Sequence, residues 1–235
     1  MSFRLLGAFE AAFKNKIYKH RDSTVGDFVA AHMFDDLLEL QRSGKLVSRI
    51  TGGQCVVNGG NKQRGSFARR GDGTFGEIVP GTNPSRDPEF SVLRGEIATI
   101  EIGVEVKILA KAMIKQIDRV QGDLERQSAQ FKQKSTNAIC VGIVGINQSL
   151  APYTGYEGDR AYPTDGKKAK HPAQEAPQAE DRLWTVRPAF NEFLILRFRA
   201  TNVPPYPFEW VDFRSTEMDY GAILARVSRL YEDRF

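Results

Sequence analysis

The segment from Glu96 to Ile108 constrains this chain most, because polar and apolar residues alternate along it with period two, the signature of a β-strand. Ala98, Ile100, Ile102, Val104, Val106 and Ile108 fall on one face, and Thr99, Glu101, Gly103, Glu105 and Lys107 on the other. The apolar face demands a core to cover it. The polar face sets carboxylates and an ammonium about 6–7 Å apart along one rigid element. Glu105-Val106-Lys107 is the sole Glu-x-Lys in the sequence. A related Asp165-Gly166-Lys167 sits among Gly and Pro residues, where a rigid site is not expected.

A chain of 235 residues can bury a substantial core, and one domain is the expected count. Hydrophobic content of 41% and charged content of 26% are those of an ordinary globular protein. The net charge of +4 permits a polyanionic partner without requiring one. No apolar run is long enough to cross a bilayer. The N-terminus lacks an extended apolar core with a small-residue cleavage site, so no secretory signal is expected. Cys55 and Cys140 lie far apart, and Cys140 sits in an apolar run, which fits buried thiols in a reducing cytoplasm. His20, His32 and His171 form no ligand-spaced pair, so a zinc site is not expected. No phosphate-binding glycine loop or other nucleotide cofactor motif occurs.

Helical spacing predicts helices from Phe3 to about Lys19 and from Val25 to Gln41, the second capped near Asp22-Ser23-Thr24 and ended by Gly44. Leu46–Ile50 and Gln54–Asn58 read as strands around Gly52-Gly53, and the Gly-rich stretch 59–81 as a mobile loop. Phe90–Leu93 reads as a short strand before the long one. A helix from Ala110 to about Lys134, a strand from Ala138 to Ile146 buried on both faces, strands at Glu192–Ala200 and Pro207–Phe213, and a terminal amphipathic helix complete the pattern. Residues 151–182, rich in Pro and Gly, read as a long loop inserted in the domain: a lid, a specificity loop or disorder. The expected class is α/β, a central mixed sheet flanked by helices.

Asp87-Pro88-Glu89-Phe90, then Glu105-Val106-Lys107 on a strand, then a helix and a buried strand, resemble the PD-(D/E)xK nuclease superfamily over roughly residues 87–146. The resemblance implies a restriction-endonuclease-like core within a single nuclease domain spanning 1–235. Its motif places one acid on the strand before the Glu-x-Lys strand. Glu105 and Lys107 match the second half. For the first acid, Asp87 stands ahead, as a catalytic and metal-binding candidate, and Glu89 stays open as an alternative metal ligand. A hairpin turn centred near Glu96 would set Asp87 opposite Glu105 and Glu89 nearer Gly103, unless a bulge shifts the register. Glu101, on the Glu105 side of the alternation, is a further candidate ligand. Gln116 resembles an accessory glutamine of some branches, although Val120 stands where those branches place a Tyr.

Such a site implies Mg²⁺, with Mn²⁺ as a substitute, since hard cations prefer carboxylate oxygens. The implied activity is hydrolysis of DNA phosphodiesters by an endodeoxyribonuclease in restriction or antiphage defence, acting as a homodimer. Two other readings accompany it: a defence effector switched on by a ligand or partner, and a catalytically inactive relative that binds nucleic acid or protein. A solvated strand face shows the same alternation, so the flanking helix and strand carry the argument. Lys62, Arg64, Arg69 and Arg70 form a basic cluster suited to DNA backbone contacts, or to a solubilising loop.

Overall fold

The run of residues 139–146 is apolar along its whole length, and only a central strand covered on both faces can use such a run. In the computed structural model, which describes residues 3–20, 22, 24–58 and 71–235, it is that strand, with every residue buried. The elements run α1 (Arg4–Ala11), α2 (Thr24–Leu40), α3 (Gly44–Thr51), β1 (Cys55–Asn58), β2 (Gly73–Glu77), β3 (Arg94–Gly95), β4 (Ile102–Leu109), α4 (Met113–Lys134) and β5 (Ile139–Asn147). They continue with β6 (Thr154–Glu157), β7 (Arg160–Pro163), α5 (Pro172–Trp184), β8 (Glu192–Ala200), β9 (Phe208–Trp210) and α6 (Phe213–Arg234).

Seven strands form one mixed sheet ordered β3-β1-β2-β4-β5-β8-β9. β4, β5 and β8 are mutually parallel; β2 runs antiparallel to both β1 and β4. Helices cover both faces, so the chain is α/β with a central mixed sheet, as its pattern predicts. One face buries Leu5, Phe9, Phe34, Leu37, Tyr220 and Leu224 of α1, α2 and α6. The other buries Met113, Ile117, Leu124, Phe131, Ala179 and Leu183 of α4 and α5. Gly142 and Gly145 let aromatic rings lie on the bare backbone of β5: an added Cβ would come within 2.6 Å of Phe193 and 2.5 Å of Phe9 respectively. Among the described residues no helix is long and apolar enough to cross a membrane.

Several segments depart from the expectations: the first helix, expected to reach about Lys19, ends at Ala11, and β2 lies within the stretch 59–81 expected as a loop. Leu46–Ile50 is helical, not extended. Ser43 caps α3 by accepting from the Leu46 N–H, and Leu46 and Ile50, one turn apart, are its buried residues. The supposed loop at 151–182 is a β6–β7 hairpin followed by α5, which packs on α4. His171 and Gln174 form a reciprocal cap, with Pro172 in the first turn. Ala176, Ala179 and Leu183 make the buried stripe of α5, a helical signal masked in the sequence by Pro177.

One further departure bears on function. The regular strand begins at Ile102; residues 96–101 run irregularly beside β2 through bonds such as Ala98 N–H to Glu77 O and Glu101 N–H to Phe75 O. Thr99 O approaches so closely that a Cβ on Gly76 would lie 1.9 Å from it. The alternation slips there: Ile100 packs toward α4, whereas Ile102, Val104 and Val106 pack toward α2 and α6. A slip of one residue reverses every face assignment before it.

Candidate active site

Beyond the slip, Gly103, Glu105 and Lys107 face α4. Gly103 is obligatory, because a Cβ there would meet the Phe131 ring at 2.4 Å. The neighbouring strand β2 pairs Gly73 with Val104 and Thr74 with Gly103. Continued by one residue, that register sets Asp72 across from Glu105. The Val106 N–H donates to Asp72 Oδ2 at 2.8 Å, fixing the carboxylate on the strand. Gly26 of α2 makes room for it: a Cβ at Gly26 would lie 2.8 Å from Asp72 Cγ. Lys107 Nζ donates to Glu105 Oε1 in a close ion pair.

The electrostatics are unbalanced. Glu105 is only 5% exposed. Burial, and then the negative charge of Asp72, push its carboxyl up to about 7, against the opposing pull of Lys107. Burial alone would lower the Lys107 ammonium, but Glu105 and Asp72 outweigh it and hold Lys107 above the ordinary lysine value. A buried carboxylate beside a second one gains from a positive charge placed near both.

Asp72, Lys107 and Asp123 line two adjoining cavities. One of about 310 Å³ extends past Gln116 and Arg119 to Tyr18, His20 and Asp22. The other, about 170 Å³, extends past Glu105 and Arg126 to Gln127 and Gln130. Gln116 lines the larger cavity with its amide tied to the Lys111 carbonyl at 2.9 Å, and Val120 forms part of the same wall. Among the described residues no three His, Cys, Asp or Glu side chains gather closely enough to hold a metal by themselves. A cation here would rest on the Asp72 and Glu105 oxygens and on water, an arrangement that suits Mg²⁺.

The other sequence-predicted residues lie elsewhere. Asp87 and Glu89 belong to the segment before β3, at the far edge of the sheet, with β1 and β2 between them and β4. Asp87 accepts from the Glu89 N–H at 3.1 Å and faces Arg94 at 3.6 Å, and Glu89 is exposed. The expected register fails because the strand antiparallel to β4 is β2, supplied from farther back in the chain. Glu101 is on the opposite face of the sheet from Glu105, a consequence of the slip. It is 3% exposed, paired with Arg49 at 2.7 Å and hydrogen-bonded by the Tyr231 hydroxyl. Lys62, Arg64, Arg69 and Arg70 lie outside the described residues.

Asp72 is therefore the residue that sequence reasoning missed. Its signal was Asp72 followed by Gly73-Thr74-Phe75-Gly76-Glu77, a short strand with one large apolar residue. The glycines that disguise it as a loop serve close packing: a Cβ on Gly71 would come within 2.2 Å of Phe131, and one on Gly73 within 2.8 Å of Ala30. Among known proteins, no family model, no curated protein and no solved structure matches this chain.

Proposed function

We propose that this protein is a divalent-metal-dependent nuclease that hydrolyses phosphodiester bonds of DNA. The observation that carries the reading is Asp72 set across the β2–β4 pair from Glu105, with Lys107 beside Glu105 on the same face. The succession α2-α3-β1-β2-β3-β4-α4-β5, with β2 and β4 adjacent and β4 and β5 parallel, supports the resemblance to the PD-(D/E)xK superfamily, with Asp72 as its first acid.

Asp72 and Glu105 supply hard oxygen donors, and their mutual repulsion is relieved by a cation. When bound, Mg²⁺ acts as a Lewis acid on the phosphoryl oxygen and lowers the pKa of its water. Lys107 places an ammonium beside the charge that develops on the phosphorane oxygens, held there by Glu105. Gly26 keeps bulk away from the Asp72 carboxylate, and Asp72 and Lys107 both line the larger cavity. The resemblance extends the proposal to a cytoplasmic enzyme of restriction or antiphage defence that works as a pair of copies, one per DNA strand.

Purified protein incubated with plasmid and phage DNA should cleave with Mg²⁺ or Mn²⁺ and not with EDTA. Glu105→Gln and Lys107→Ala should each lower cleavage by about a hundredfold or more. No cleavage together with no Mg²⁺ binding by calorimetry would leave an inactive relative.

A further inference from the structure

The two cavities beside the carboxylates are halves of one groove. They share Asp72, Lys107 and Asp123, and α4 walls both. Gln116, Arg119, Val120 and Asp123 line one half; Asp123, Arg126, Gln127 and Gln130 line the other. These positions recur at three- and four-residue spacing, so they form one stripe along the helix, about 21 Å from end to end at 1.5 Å per residue. Lys107 sits at the middle of that stripe, where the halves meet.

Arg119 and Arg126 stand on either side of this midpoint, about 10 Å apart along the helix axis. Asp123 lies between them, and each guanidinium takes one of its oxygens at 3.5 Å. Both arginine side chains are well exposed, at 68% and 60%, while Asp123 is 21% exposed. Long, solvent-screened pairs of this kind are weak. A phosphate offers more acceptor oxygens and a planar fork fits it, so exchange of partner is favourable. At the far end of the stripe the Gln130 side-chain oxygen is buried with no hydrogen-bond partner among the described residues.

We propose that one DNA strand lies along α4 through both halves of the groove, with Arg119 and Arg126 gripping backbone phosphates on opposite sides of the scissile one. Asp123 is the holding partner for both guanidiniums until the strand displaces it. The inference rests on the nuclease reading and deepens it. A groove with a phosphate grip on each side of the reacting centre accepts the interior of a strand, and needs no free end.

The test uses the full chain in Ca²⁺, with fluorescent single-stranded DNA titrated over a range of salt. Arg119→Gln and Arg126→Gln should each bind more weakly and each flatten the log–log salt dependence by about 0.7. Oligonucleotides carrying one neutral methylphosphonate linkage, stepped along the strand, locate each contact. Arg119→Gln should become insensitive to neutralisation on one side of the cut, and Arg126→Gln on the other. Wild-type cleavage of circular single-stranded DNA in Mg²⁺ is measured in parallel. Cleavage with unchanged salt slopes, or with both variants losing sensitivity at the same phosphate, overturns the grip and leaves the nuclease reading standing. Neither binding nor cleavage by the wild type overturns both.

Discussion

Glu101 and Glu105 stand four positions apart in one segment and are equally buried, at 3% and 5% exposure, yet their surroundings are opposite in kind. Glu101 is answered on every side. Arg49 pairs with it at 2.7 Å, the Tyr231 hydroxyl donates to it, and the Cys55 thiol lies 3.5 Å away. Burial and the Glu101 charge in turn push the Cys55 thiol up to about 12, so it stays protonated and inert. Glu105 has Lys107, but it also faces the like charge of Asp72. Burial of a carboxylate therefore does not mark a site. What distinguishes Glu105 is the like charge beside it, which raises its carboxyl and which a nearby cation would relieve.

The sharpest way to break this contrast is to remove each partner in turn. Asp72→Asn, Glu105→Gln and Lys107→Ala should each lower Mg²⁺-dependent cleavage by about a hundredfold to a thousandfold. In EDTA, Glu105→Gln should unfold within about 1 kcal/mol of the wild type, since it removes a like-charge contact as well as an ion pair. Thermal unfolding beside a plasmid assay reads both. A large loss of stability in Glu105→Gln would make the two glutamates alike.

Glu101→Ala should do the reverse. It strips one partner from a half-buried arginine, which keeps Glu77 at 2.8 Å, and takes the carboxylate acceptor from the Tyr231 hydroxyl, a loss of about 2 kcal/mol. For a chain of this size that corresponds to roughly 4–8 °C in melting temperature. Cleavage per folded molecule, measured well below the melting point, should be unchanged. Loss of activity without loss of stability would draw Glu101 into the site.

The cleft rim offers a test by pH. Burial, and then the Lys111 charge, lower His20 from its ordinary 6.5 to about 4. Tyr18 and Tyr153 pack edge-on against its ring. A base whose folded pKa is depressed binds fewer protons in the native state, so its neutral form supports folding above pH 6.5. That support is lost as the pH falls from 6.5 toward 4. At about 1.4 kcal/mol per pH unit over that window, the loss reaches roughly 3 kcal/mol. His20→Phe should shift the acid limb of a denaturation profile toward lower pH. An unchanged limb would mean that His20 is solvated in solution.

The smallest effect is expected where the sequence motif pointed first. Asp87→Asn and Glu89→Gln should change stability by no more than about 0.5 kcal/mol, and cleavage not at all. If either abolished cleavage, Asp72 would lose its place as the first acid.

These outcomes turn on how far the pattern of residues reaches. Glu105 and Lys107 were legible because both lie within the regular part of β4, where period two holds. Glu101 misled because the slip at residues 100–102 depends on Thr99 O lying against Gly76, a contact between segments that no local pattern records. Asp72 was hidden because its glycine neighbours have the composition of a loop, although their bare backbone is needed under Phe131 and above Ala30. Leu46–Ile50 went astray because a short apolar run fits a strand or a helix equally, and the Ser43 cap decided it.

Taken alone, the sequence determined the class of the fold, the long helices, β5 and β8, and the strand bearing Glu105 and Lys107. All of these rest on apolar periodicity over many residues, which a single segment carries within itself. Tertiary structure decided which strand runs beside β4, and so which acid faces Glu105. Strand register is a relation between two segments; a shift of a single residue inverts it, and the side chains that fix it come from elsewhere in the chain.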